Sequence, residues 1–218
     1  MRRTPTQRGI DRRSLFLSLT GLALSGCANL PGLGPAPNVY ELAPKTTFNL
    51  DLKPVTWQLE VDEPLADGGL DTNRIALKTT PFELKYFADS RWIERAPKMV
   101  QTLLVESFEN TGRIVGVGRQ SVGLRADYTL KSELRQFQAE FIKDSKLPTI
   151  RVRLNVKLVK EPRDEIIAFQ NFEYTLVSEH DDIQTVVATF NETINKVLRQ
   201  VVEWTLTTAP PIAVRPGG

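Results

Sequence analysis

A chain of 218 residues, 41% hydrophobic and 25% charged, has the make-up of a globular protein, not of a disordered or fibrous one. One cysteine, Cys27, excludes an intramolecular disulfide framework and a thiolate metal cluster, and one histidine, His180, excludes a multi-histidine metal site. The formal charge of +2 is unevenly placed: residues 1–26 carry five arginines against Asp11, so the remainder is mildly acidic and gives no electrostatic case for nucleic acid as a partner.

Residues 1–26 read as a signal peptide, with a basic start, an apolar run from Leu15 to Leu24 and small residues after it. The run is about 10 residues, half of the ~20 that a membrane-spanning helix needs. Leu24-Ser25-Gly26-Cys27 resembles the lipobox of bacterial lipoproteins. That resemblance implies signal-peptidase recognition through Leu24, Ser25 and Gly26. It also implies that Cys27, carrying a covalent diacylglyceryl group and an N-acyl chain, begins the mature protein. The competing reading, a buried cysteine ending a core helix, fits the basic flank and the small residues poorly. Arg12-Arg13-Ser14-Leu15-Phe16 resembles a twin-arginine export signal, but two arginines before an apolar run serve Sec export equally, so both routes stay open. Ala28, in place of aspartate, implies the outer membrane by the enterobacterial sorting rule. Several acyl chains anchor stably, at about 0.8 kcal/mol per buried CH₂.

Residues 27–50 are expected to form the lipidated N-terminus and a tether rich in proline and glycine, with Pro31, Pro35 and Pro37 extending it. A single domain is expected over 51–207 and a frayed tail over 208–218. Val55, Trp57, Leu59 and Val61 alternate with polar residues and predict a half-buried strand. Pro64–Asn73 reads as a loop. Ile75 and Leu77 mark a second strand, and Phe82, Leu84 and Tyr86 a third. Pro97 suits the first turn of a helix whose Val100, Leu103, Leu104 and Phe108 share one face, and Gly112 suits its stop. A short strand follows over 113–117.

Three long strands come next. Apolar parity switches within 126–141, which predicts a bulge near Arg135–Gln136. Residues 149–159 alternate strictly. Residues 166–177 switch parity near Gln170–Asn171, where a second bulge is expected. A last helix runs from about 182 to 206, capped by Asp181 or Asp182, with one apolar stripe from Ile183 to Val201. The order β-β-β-α-β-β-β-β-α predicts an α+β domain: a mainly antiparallel sheet with two helices on one face.

A lipobox, a short tether, "NVYELAP", "FELKYFADSRWIERAPKMVQTLLVESF", "ADYTLKSELRQFQAEF" and "VVEWTL" occur in this order. Together, over residues 38–207, they resemble the ABC-type transport auxiliary lipoprotein family, which includes the lipoprotein component of paraquat-inducible, Mce-type systems. The resemblance implies a domain similar to the N-terminal domain of TolB. It implies partners, namely an ABC permease, an ATPase and an Mce-domain protein, in a system that moves lipids between the inner and outer membranes. No catalytic residues are carried over from it, and no cofactor beyond the lipid on Cys27 is expected. Because Mce proteins form rings, a homo-oligomer is an expectation by association. A lipid-carrying binding module and a structural envelope lipoprotein are the alternative readings.

Few other residues suggest chemistry. His180 beside Asp181 and Asp182 reads as a solvated pair before a helix, since a general base needs a positioned nucleophile. Gly116, Gly118 and Gly123 have the wrong spacing for a phosphate loop and precede a strand. Asn191 begins a glycosylation triplet but falls within a helix. Arg91-Trp92 lies in an expected loop, where Trp92 either packs under the first helix or anchors a partner. Arg151, Arg153 and Lys157 share the polar face of one strand. They either pair with Glu133 or Glu173 or meet an anionic lipid or acidic partner. Phe108, Phe169 and Phe190 are expected to face inward and fill the core.

Overall fold

The computed structural model describes residues 36–120, 125–141 and 145–212. Eleven elements follow along the chain. They are β1 (Asn38–Tyr40), β2 (Val55–Val61), β3 (Leu65–Ala66), β4 (Arg74–Thr80), β5 (Glu83–Trp92), α1 (Ala96–Thr111), β6 (Ile114–Gly118), β7 (Tyr128–Glu140), β8 (Thr149–Lys160), β9 (Glu165–Val177) and α2 (Ile183–Thr208).

β7 is the spine. One side of it pairs antiparallel with β8, from Tyr128 opposite Lys160 to Glu140 opposite Thr149, and β8 pairs antiparallel with β9. The other side is shared by β2, β3 and β4, each parallel to β7. β5 forms a hairpin with β4, β1 lies parallel to β5, and β6 lies parallel to β2. The two-residue periodicity of β8 explains the layering. Ile150, Val152, Leu154, Val156 and Leu158 are fully buried against the helices, while Arg151, Arg153 and Lys157 project from the other face. Helices on one side of a strand-rich sheet make this the α+β arrangement expected.

The two helices begin and end where the residues direct. Pro97 lies in the first turn of α1, and Gly112 closes it in the left-handed region at φ 59°, with its N–H donating to the Glu109 carbonyl. Asp182 caps α2, accepting from the Thr185 N–H at 3.0 Å and its hydroxyl at 2.7 Å. Between sheet and helices, Trp92, Phe137 and Phe190 form an aromatic triangle with centroids 5.2–5.6 Å apart. Trp57 meets Tyr128 edge-on at 5.3 Å.

Several expectations need correction. The tether does not extend to residue 50. Asn38–Tyr40 is a strand, Leu42 is buried, and the Ala43 and Lys45 N–H groups donate to Asn191 Oδ1 and Ser107 Oγ. This stretch is held by side chains of both helices and so shows no strand or helix period. The bulge at Arg135 is present, between the Leu134 and Gln136 pairings. The second register shift lies instead at Ile167; from Ala168 to Val177 the pairing is unbroken, so Phe169, opposite Lys157, lies on the helix-free face and is 73% exposed. Phe82 sits in the β4–β5 turn, not in a strand. The start of the expected tail is packed: Ala209 is buried and Tyr128 Oη donates to the Pro210 carbonyl at 2.8 Å.

Candidate functional site

The face of the sheet opposite the helices is where cross-strand charges gather. β8 places Arg151 and Arg153 on it, β7 places Glu140, and β9 places Glu173. Arg151 Nε donates to both Glu140 oxygens at 3.2 Å, and its Nη1 donates to Glu173 Oε1 at 2.5 Å. Arg153 reaches the other Glu173 oxygen at 3.9 Å. Partial burial works against the Arg151 charge, but Glu173 and Glu140 outweigh it and hold its pKa above the ordinary value. Cross-strand pairing with Glu173 thus accounts for both arginines. Glu133 is engaged elsewhere, with Arg135 at 2.7 Å. Lys157 stands exposed, between Lys131 on β7 and Phe169 on β9.

One end of this face opens into a groove of about 670 Å³, lined by Lys78, Thr79, Thr80, Pro81, Gln136, Glu140, Phe141 and Arg151. The Phe141 ring also lies 6.5 Å from that of Phe87. The groove combines an apolar wall with the arginine–glutamate ladder at its floor.

A more open, polar basin of about 760 Å³ lies near the start of β7. Glu60, Asp62 and Glu161 face Lys98, Arg119 and Lys131 there. Partial burial, then Asp62, raises the Glu60 pKa. Thr129 donates to Glu161 at 2.7 Å, and Arg119 to the Thr102 hydroxyl at 2.8 Å. Among the described residues no cluster of three or more His, Cys, Asp or Glu could hold a metal ion, and no helix is long and apolar enough to cross a membrane.

The remaining candidates fall into place separately. Arg91-Trp92 ends β5 and is not in a loop. Trp92 is 1% exposed, within the aromatic triangle, so it offers a partner no surface; Arg91 is exposed. His180 is exposed just before α2. The carboxylate of Asp182 is held by Thr185 as a helix cap, which, ahead of a smaller effect of His180, lowers its pKa. Asn191 Oδ1 accepts from Ala43 on the entry segment. Gly116 and Gly118 lie in β6. Arg12, Arg13, Leu24, Ser25, Gly26, Cys27 and Gly123 lie outside the described residues. Phe82, at the hairpin tip, keeps an even spacing with Leu84 and Tyr86 that reads as strand. Pro81, which favours a turn, was the signal against a continuous strand.

Residues 40–202 match the model of a family described as the ABC-type transport auxiliary lipoprotein component. The chain belongs to this family. A crystal structure of a protein from Xanthomonas campestris, assigned to a domain family of unknown function, superposes with a TM-score of 0.74. The two are 31% identical, over 78% of this chain and 95% of that one. A second crystal structure, of an uncharacterized protein, gives a TM-score of 0.56 at 16% identity, over 79% of this chain and 95% of the other, and likens the fold alone. An uncharacterized protein of Bradyrhizobium diazoefficiens is 25% identical over 185 residues, 84% of this chain. The chain spans about half the length of that curated relative.

Proposed function

We propose that this auxiliary lipoprotein is the membrane-anchored, periplasm-facing subunit of an Mce-type ABC system that moves lipids between the inner and outer membranes, and that it carries out no reaction itself. The match of residues 40–202 to the family carries the reading. The lipobox-like Leu24-Ser25-Gly26-Cys27 and Ala28 support an anchor in the inner leaflet of the outer membrane. The described domain would then act by contact with an Mce-domain protein, a permease and an ATPase. The filled interior supports a contact role over an internal lipid carrier. Trp57, Trp92, Tyr128, Phe108, Phe137 and Phe190 are each under 2% exposed between sheet and helices.

Co-purification from membranes tests the partnership: the Mce-domain protein is expected to accompany this protein. Its absence, with both expressed, would sink the reading. The anchor is tested separately. Cys27→Ala is expected to leave an uncleaved precursor, and normal outer-membrane fractionation of that variant would refute lipidation at Cys27.

A further inference from the structure

Phe82 is 98% exposed in the two-residue turn of the β4–β5 hairpin, so its ring buries almost nothing within the fold. Lys78 and Lys85 flank it, on β4 and β5. Lys85 pairs with Glu83 at 2.9 Å, so the net positive charge at this tip comes from Lys78. An aromatic ring at a projecting turn with a lysine behind it has the chemistry of the membrane interface: an apolar group for the acyl boundary and a cation for anionic headgroups.

The topology gives the place of this hairpin relative to β1. β1 runs parallel to β5, with Asn38 beside Ser90. Glu83 lies seven residues earlier on β5, about 23 Å along the strand. The N-terminal end of β1 therefore points toward the hairpin. Ten residues separate Cys27 from Asn38, and the eleven steps between them span at most about 40 Å. That reach exceeds the distance along β5 to the hairpin tip, so a bilayer that holds a lipid on Cys27 can also touch the tip. Leu50, 88% exposed, precedes β2 at the opposite end of the sheet, where β2 and β7 begin.

We propose that the β4–β5 hairpin is a second membrane contact, in which Phe82 enters the interfacial layer of the bilayer that carries lipidated Cys27, with Lys78 against its anionic headgroups. The inference rests on the anchor reading above. It orients the domain: the groove beside Phe141 and Arg151 faces the membrane, and the polar basin near the start of β7 faces away.

The test uses the lipidated full-length protein in vesicles of phosphatidylethanolamine and phosphatidylglycerol. Cys27 is the single native cysteine and its sulfur carries the lipid, so Phe82→Cys and Leu50→Cys each take one environment-sensitive fluorophore. At position 82 the emission is expected to shift to the blue on membrane binding and to be quenched most by quenchers placed shallow in the bilayer. At position 50 it is expected to remain aqueous. Equal exposure of position 82 to aqueous iodide with and without vesicles would overturn the proposal. So would insertion of both positions, or a blue shift at 82 that follows protein concentration instead of lipid. Mass spectrometry of Cys27 separates this failure from failure of the anchor. If Cys27 carries no lipid, the same chain is sedimented with vesicles. A loss of bound fraction of about tenfold on Phe82→Ser then sustains the hairpin contact, and pelleting unchanged by that substitution rejects it.

Discussion

Trp92 shows how a residue can look like a contact in sequence and be core in structure. It follows an arginine and precedes a helix, as a binding anchor often does. Its surroundings come from elements far apart in the chain, Phe137 on β7 and Phe190 on α2, and no local pattern announces them. Trp92→Ala is expected to cost about 3–5 kcal/mol, read as a shift of the denaturant midpoint. Trp92→Phe should cost much less, because the buried indole N–H has no hydrogen-bond acceptor to lose. Phe169 errs the other way. Its expected inward face required a bulge near Gln170–Asn171, but β9 pairs with β8 without a break from Ala168 to Val177, which leaves it outside. A slip of one residue reverses a side chain's face, and its position depends on pairing with β8 that periodicity alone does not record.

Helices and the longest strands were legible because each carries its own markers. Pro97 and Gly112 bound α1, Asp182 begins α2, and strict alternation defines β8. β1 and β3 were not, since strands of three and two residues are too short for any period and exist only through their neighbours. The cap of α2 gives a pH-dependent prediction. The folded pKa of Asp182 is depressed, first by the Thr185 hydroxyl and then by its N–H. The cap therefore stabilises fully above the pKa of an unfolded aspartate, and its contribution declines as pH falls through the lower folded value. Melting temperatures of the native protein and Asp182→Ala should differ at neutral pH and converge in acid. A gap that stays constant into strong acid would contradict this assignment.

At the scale of the molecule, the ends of the domain are tied in more than their composition suggests. Tyr128 at the start of β7 donates to Pro210, and Ile212 packs on the core. Truncation after Thr208 is expected to destabilise the protein by about 1–3 kcal/mol, measurable by urea unfolding. The entry segment is tied as firmly, through Asn191 and Ser107. The parallel placement of β1 has a mechanical consequence. Tension applied at Asn38 along the strand axis loads the three register pairs from Asn38–Ser90 to Tyr40–Trp92 in shear, together. Pulled across its axis instead, the strand would unzip one pair at a time. Under the N-terminal anchor proposed above, the domain resists detachment of its first strand, and its lifetime under load is set by an unfolding rate, not by its equilibrium stability.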